Sequence, residues 1–308
     1  MLSESHLYEE CNFIIYSSLD LIVKQQDFFK ITTLPLKKID SLDKIVSDHI
    51  NIKEVFSSSK FEFGKNDKEI SANGIISFKE AVEDAKSKKI DILITAPINK
   101  SLSYSSSFKF LGHTDYLKNL FNIDPMMLMV SDNLKLGLLT EHIPLKDVVS
   151  EITTKKVIQK IKSLTDTLKN DFLIKAPKIA ILAINPHVGD NGVIGSDDQN
   201  ILIPAITDLN KDNNLIFGPF SADTFFCNEN HKQYDGIIAA YHDQGLIPFK
   251  TISFGNGVNY SSGLPIIRTS PDHGTGFDIA GQGIASTSSF IQALKVGLDI
   301  YKSRNTID

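Results

Sequence analysis

Three histidines of this chain each close a short apolar run: LKLGLLTEH at His142, KIAILAINPH at His187 and DGIIAAYH at His242. Runs of roughly four to eight apolar, β-branched-rich residues ending at a polar break read as buried strands. Ligands of open α/β sheets bind beyond the carboxyl ends of their strands, so all three imidazoles are expected at that edge. Neutral imidazoles with an open coordination position are a common way to hold a catalytic divalent metal, and His142, His187 and His242 are read as such a set. Asn185-Pro186 imposes an extended residue before a rigid turn, which aims His187 out of the sheet end. Asp243, next to His242, can orient a neighbouring ligand or base through a second hydrogen bond. Taken singly, each histidine reads first as a hydrogen-bonded residue at the top of a sheet; the three together, with their turn-forming context, favour the metal set.

Other groups carry complementary chemistry. In Gly112-His113-Thr114-Asp115 the glycine frees the backbone before a helix start, and Thr114 is read as a cap whose amides face an anion; a plain N-cap beside an exposed histidine is the alternative. Lys250, Asn259 and Arg268, with Gly255, Gly257 and Gly263 among them, offer two cations and an amide suited to a phosphate or carboxylate. Arg268 follows the run LPII and so belongs to a strand end rather than to a surface loop. Asn99 and Lys100 lie just past the run DILITA, in ligand range by the same rule. His273 is a candidate fourth ligand or proton relay, or part of a capping turn. Asp223 in SADT is an N-cap or a carboxylate beside the metal.

The elements that position these residues alternate from about residue 75 onward. SFKEAVEDAKSKK is an amphipathic helix, with Ser77 and Glu80 forming a capping box. DILITAP, MMLMVS, LKLGLLT, KIAILAI, LIFGPF, GIIAAY and PIIRTS read as strands. TDYLKNLF, one or two helices within LKDVVSEITTKKVIQKIKSLTDTL, QNILIPAITDLN and SSFIQALKVGLDIYK lie among or after them. Strands alternating with helices predict an α/β fold with a mostly parallel, layered α/β/α sheet. The first 70 residues are less regular; NFIIYSS, FKITTL and SKFEFG are candidate short strands. No GxGxxG phosphate loop is present; GTGFDI at Gly274 and GNGVNY at Gly255 lack its third glycine.

Bulk properties narrow the function classes. With 308 residues the chain can bury a large core as two domains or one large unit. A net charge of −5 argues against nucleic-acid or anionic-membrane partners. Lys155, Lys156, Lys160 and Lys162 read as a solvated helix face. Two cysteines, Cys11 and Cys227, give neither a disulfide framework nor a CxxC pair, which fits a reducing cytoplasm. No run approaches the roughly 18–20 apolar residues of a membrane span, and MLSESHLYEE lacks the pattern of a signal peptide. Serine clusters at Ser57–Ser59 and Ser105–Ser107 read as loops.

The segments APINK, GHTDYL, TEHIPL, NPHVGDNGVIGSDD, GPFSADTFF, YDGIIAAYHDQGLIPFK, FGNGVNYSSGLPIIRTSPDHGTGFDIAG and SFIQAL, in this order, resemble the 4-hydroxythreonine-4-phosphate dehydrogenase family of pyridoxal phosphate biosynthesis. The resemblance spans about residues 70–302, three quarters of the chain. It implies a divalent metal (zinc, magnesium or cobalt) on His142, His187 and His242, and a phosphorylated hydroxy amino acid on His113, Thr114, Lys250, Asn259 and Arg268. It implies a fold like the isocitrate and isopropylmalate dehydrogenases, with two interlaced domains placed at residues 1–105 with 250–308 and at 106–249. A homodimer is implied, with each metal site shared between subunits. The implied reaction is oxidation of 4-phosphooxy-L-threonine by NAD or NADP, the metal acting as Lewis acid at the C3 hydroxyl. The 3-oxo acid then loses carbon dioxide, giving 3-amino-2-oxopropyl phosphate. Lys100, Asp243 and His113 are the candidates for moving the hydroxyl proton, and the cofactor-binding residues are not identified. Family members begin with a strand and a Gly-Asp-Pro-Ala-Gly-like loop that is absent here, so the N-terminus is expected to be short by about one strand and one helix. Competing expectations are a paralogous dehydrogenase for another phosphorylated hydroxy acid, and a metal-dependent hydrolase or aldolase without redox chemistry.

Overall fold

The computed structural model describes residues 9–31, 34–57, 60–105 and 108–307. Residues 1–8 of the leader reading, the serine pairs 58–59 and 106–107, and the middle of FKITTL (residues 32–33) lie outside the described residues. Strands β1 (Phe13–Ser17), β2 (Leu36–Ile39) and β3 (Ile50–Glu54) form a parallel sheet in the order β1-β3-β2. The larger sheet contains β4 (Ile92–Ile94), β5 (Met126–Ser131), β6 (Leu134–Leu138), β7 (Lys178–Leu182), β8 (Leu215–Phe220), β9 (Gly236–Ala239), β10 (Val258–Ser262) and β11 (Ile267–Pro271). Its order is β4-β11-β10-β5-β6-β9-β7-β8, with antiparallel pairing confined to β11-β10-β5-β6.

Helices α1 (Leu19–Phe28), α2 (Lys68–Lys86), α3 (Lys100–Ser103), α4 (His113–Phe121), α5 (Val148–Glu151), α6 (Thr154–Asn170), α7 (Ile203–Asn210), α8 (Ala222–Phe225), α9 (His242–Ser253) and α10 (Ser288–Ile307) connect and cover the strands. The architecture is the mixed α/β fold with a mostly parallel sheet that the alternation predicts. No helix among the described residues is long and apolar enough to cross a membrane.

The local differences have physical causes. Helix α2 begins ahead of Ser77: Asp67 caps it by accepting from the Glu69 and Ile70 amides at 2.7 and 3.1 Å. Its buried face (Ile75, Phe78, Ala81, Val82 and Ala85) carries the helix through Gly74, whose propensity penalty burial outweighs. Residues 60–64 of SKFEFG are not a strand; Phe61 and Phe63 instead join Phe28 and Phe29 in an aromatic cluster. Phe29–Ile31 of FKITTL follow α1 as a turn, and the strands of this region are LKKI and INIKE. Lys160 is not on a solvated face. It is buried, its Nζ 3.3 Å from Asp124 Oδ2, 3.5 Å from the Pro125 carbonyl and 3.8 Å from Glu141 Oε1, so α6 grips the residue preceding His142.

Strand β10, absent from the sequence reading, decides the character of the sheet. Asn259 is opposite Ser270 of β11 on one side and Met129 of β5 on the other. Because successive residues of a strand face opposite ways, Val258 and Tyr260 enter the core under α6, α7 and α10. Asn259 and Ser261 share the opposite face with Met127 and Met129, which pack beneath Leu246 and Phe249 of α9. Gly245 allows this close approach, since a Cβ there would lie 2.6 Å from Leu136 Cδ2. Over β5, β6 and β9 the α9 face is therefore apolar, whereas over β4, β11 and β10 it carries Thr95, Arg268, Ser270, Asn259 and Ser261.

On the other face a buried network joins three elements. Tyr260 Oη donates to Asp171 Oδ2 at 2.6 Å, Arg304 Nε donates to Asp171 Oδ1 at 2.7 Å, and Arg304 Nη2 donates to Tyr260 Oη at 2.9 Å. Asp171→Ala leaves a partly buried guanidinium and a buried phenol without their acceptor. It is expected to lower unfolding free energy by about 3 kcal/mol, measured by denaturant titration; a loss below about 0.5 kcal/mol would show that the network contributes little.

Candidate active site

Strands β6, β9 and β7 are adjacent and mutually parallel, so the segments carrying His142, His242 and His187 leave the sheet at one edge. Hydrogen bonds join these strand ends. Thr140 donates through its amide (3.2 Å) and its hydroxyl (2.7 Å) to the Ala240 carbonyl. Gln244 accepts from the Ala240 amide at 2.7 Å and donates to the Ala183 carbonyl at 2.8 Å. Asp198, fully buried, accepts from the Ile184 and Asn185 amides and from Asn185 Nδ2 at 2.8, 3.0 and 3.0 Å, anchoring the turn that contains His187.

The His142 and His242 rings lie 5.4 Å apart between centroids, tilted by 48°. His242 Nδ1 is 2.7 Å from Asp243 Oδ1, a contact that fixes the ring and leaves Nε2 for a ligand. The His142 imidazole is held below the usual histidine range, first by desolvation, then by Lys100 and His242, which keeps its lone pair free of a proton. These two donors suit a divalent cation. His187 is exposed in the turn Pro186–Gly192 with φ 52°. Among the described residues no three His, Cys, Asp or Glu side chains of one chain converge on a metal-sized point.

Arg268 is 4% exposed on the polar part of the sheet. Its Nε and Nη2 donate to Thr95 Oγ1 at 3.1 and 2.7 Å, its Nη1 donates to Ser261 Oγ at 3.0 Å, and Nη2 approaches His113 Nδ1 at 3.5 Å. No carboxylate is among these partners, and burial lowers the guanidinium pKa to about 10. His113 is buried against Phe78, and desolvation followed by Arg268 pushes its pKa down to about 3, so the ring is neutral. Since arginine only donates, Nδ1 is the acceptor, which leaves the hydrogen on Nε2 as a neutral donor. Asn259 Oδ1 is buried without a partner, an acceptor open to an N–H or O–H.

Lys100 connects the two centres. A Cβ at Gly112 would sit 3.7 Å from Lys100 Cε, and the same ammonium acts on His142. Asn99 caps its short helix by accepting from the Ser101 and Leu102 amides. Gly112, not Thr114, is the N-cap of α4; Thr114 lies inside the first turn, half-buried, because the chain is already helical at His113. Lys250 Nζ contacts Asp272 Oδ1 at 3.1 Å and the Asp272 carbonyl at 3.2 Å, and burial raises the Asp272 carboxyl against the opposing pull of Lys250. His273 is exposed, its Nδ1 2.9 Å from the Gly274 carbonyl. Asp223 does not cap α8, whose N-cap is Ser221; it accepts from the Ser221 hydroxyl at 2.9 Å. With Asp243 and Tyr241 it lines a cleft of about 820 Å³ along α9, which includes neither Arg268 nor His113. Thr95, Ser261 and Asp198 escape the sequence reading because hydroxyls inside strands and a carboxylate before a helix are commonplace there.

Residues 9–297 match the family described as pyridoxal phosphate biosynthetic protein PdxA. The chain is 42% identical over 294 residues to a 4-hydroxythreonine-4-phosphate dehydrogenase of Sulfurihydrogenibium sp., covering 95% of this chain and 90% of that protein. It is similar in structure to the 4-hydroxythreonine-4-phosphate dehydrogenase of Klebsiella pneumoniae, with a TM-score of 0.80 and 27% identity over 94% of this chain and 88% of that one. Isocitrate dehydrogenase of Methylococcus capsulatus shares the fold alone, with a TM-score of 0.50 and 12% identity over 95% and 86% of the two chains.

The neutrality of His113 has a pH signature. Folded, it takes a proton only near pH 3; unfolded, it does so near the ordinary 6.5. Between those values the unfolded chain binds more protons, so this residue lowers stability as pH falls. His113→Gln is expected to flatten the decline in unfolding free energy between about pH 7 and about pH 4 relative to the parent; superimposable slopes would show that the ring is protonated in the folded state.

Proposed function

The chain belongs to the pyridoxal phosphate biosynthetic protein PdxA family, and from that premise we propose that it is a 4-hydroxythreonine-4-phosphate dehydrogenase. It oxidises the C3 hydroxyl of 4-phosphooxy-L-threonine, hydride passing to NAD or NADP, and the resulting 3-oxo acid loses carbon dioxide to give 3-amino-2-oxopropyl phosphate. The observation that carries this reading is the buried Arg268, a cation with no carboxylate partner among the described residues, on the sheet that delivers His142 and His242 to its edge.

Arg268, the His113 Nε2–H and Thr114 hold the phosphate, Lys250, paired with Asp272, adds a second cation, and the open Asn259 Oδ1 accepts from the substrate's ammonium or hydroxyl. In its neutral amine form Lys100, between the anion site and the imidazoles, takes the hydroxyl proton, becoming the ammonium, and later returns that proton to carbon. Asp243 is committed to orienting His242, and the buried, neutral His113 serves as a donor rather than a base. His142, His187 and His242 would hold the divalent ion (zinc, magnesium or cobalt), and a second subunit completes the set. When bound, that ion supplies Lewis-acid polarisation of the hydroxyl.

We read residues 1–105 with 250–308 and residues 106–249 as two interlaced domains: β4, β11 and β10 are contiguous in the sheet, followed by β5 to β9. A homodimer in the cytoplasm, without nucleic-acid or membrane partners, completes the proposal.

Incubation with 4-phosphooxy-L-threonine, a divalent metal and NAD or NADP should yield reduced nicotinamide and carbon dioxide in equal amounts. Product without reduced nicotinamide would indicate a hydrolase or aldolase, and turnover of phosphoerythronate instead would indicate a paralogous dehydrogenase. Arg268→Ala should raise KM for the phosphorylated substrate by about 100-fold or more while changing KM for the nucleotide by less than about threefold; equal losses would make Arg268 structural.

A further inference from the structure

Among the described residues, Arg268 is held by neutral groups alone. Thr95 Oγ1 accepts from both Nε and Nη2, and Ser261 Oγ accepts from Nη1. A guanidinium has five N–H donors, so after these three bonds one N–H remains on each terminal nitrogen, that on Nη2 directed toward the neutral His113. Thr95 Oγ1 accepts twice, which leaves its own O–H free to donate. Both hydroxyls are buried, Thr95 6% and Ser261 1% exposed, and both belong to the polar side of the sheet that register assigns.

For stability alone a carboxylate would be the better partner: it would pair with the fork bidentately and remove the penalty of a buried, uncompensated charge. It would also cancel that charge. Hydroxyls fix the plane and rotation of the guanidinium while leaving its charge intact.

We propose that Thr95 and Ser261 are positioning residues that orient Arg268 through neutral acceptors, reserving its charge for a doubly charged phosphate monoester. The inference rests on the reading that Arg268 takes the substrate's phosphate, and it adds the basis of selection. A carboxylate or a neutral polar group can meet the same N–H donors, but a phosphate monoester at neutral pH brings close to two negative charges.

The test uses calorimetric titration of the full chain with inorganic phosphate, together with KM for the phosphorylated substrate and for the nucleotide. Thr95→Val should weaken phosphate binding and raise substrate KM about tenfold with nucleotide KM within about twofold, and Thr95→Ser should restore both. Thr95→Asp keeps an acceptor but adds the counter-charge; it should abolish phosphate binding while melting at or above the parent temperature. Phosphate affinity retained in Thr95→Asp would overturn the proposal, since the hydroxyl would then serve structure only. If Thr95→Val does not fold, Ser261→Ala replaces it: severalfold weaker phosphate binding supports the proposal and unchanged binding overturns it. Arg268→Ala separates the two levels. Normal phosphate binding there removes Arg268 from the anion site altogether, whereas loss there with unchanged Thr95 and Ser261 variants overturns the cradle alone.

Discussion

A guanidinium buried one strand in from the edge of the sheet, with no carboxylate beside it among the described residues, is the constraint around which the rest of this site is arranged. Isolated buried charges carry effective penalties of several kcal/mol, and a fold retains one where a ligand supplies the missing charge. Arg268 is placed there by β11, with β4 and β10 as its neighbours in the sheet. Hydroxyls replace apolar side chains on that side of the sheet, and His113 is kept neutral beside it. Two strands further along, the same side is apolar and α9 packs down on it.

The chemistry is joined to the anion site by the sheet edge. Thr140, Ala240, Gln244 and Ala183 link the ends of β6, β9 and β7, so the imidazole turns are fixed relative to one another. Lys160 reaches Glu141 from α6 and steadies the approach to His142. Lys100 is the residue common to both halves: it lies against the start of α4, whose first residue is His113, and its charge helps keep His142 unprotonated. A phosphorylated substrate lying across this span would have its anionic end over the sheet and its hydroxyl-bearing carbon at the edge.

What could be read from the sequence follows from how each residue signals its role. Histidines after apolar runs announce themselves because strand ends and ligand sites coincide in α/β proteins. Arg268 was expected at a strand end after LPII, but it lies inside β11, one residue past Ile267, and register with β10 turns it to the polar side of the sheet. Strand β10 was not legible: VNYSS is a run of 5 residues between Gly257 and Gly263, too short and with only two apolar residues to stand out as a strand. Thr95 and Ser261 gave no signal, since a hydroxyl in a strand gains meaning only when register places it against a buried cation. The start of α2 was hidden by Gly74, and Lys160 looked solvated because helical spacing alone does not reveal the carboxylates it meets in three dimensions.

The central claim is that the uncompensated charge of Arg268 receives the substrate's phosphate. A crystal structure of the metal-loaded enzyme with 4-phosphooxy-L-threonine tests it directly. The expected result is a phosphate oxygen within hydrogen-bond distance of Arg268 and of His113 Nε2, with the C3 hydroxyl turned toward His142 and His242. A phosphate bound elsewhere, with Arg268 still contacting only Thr95, Ser261 and His113, would contradict it.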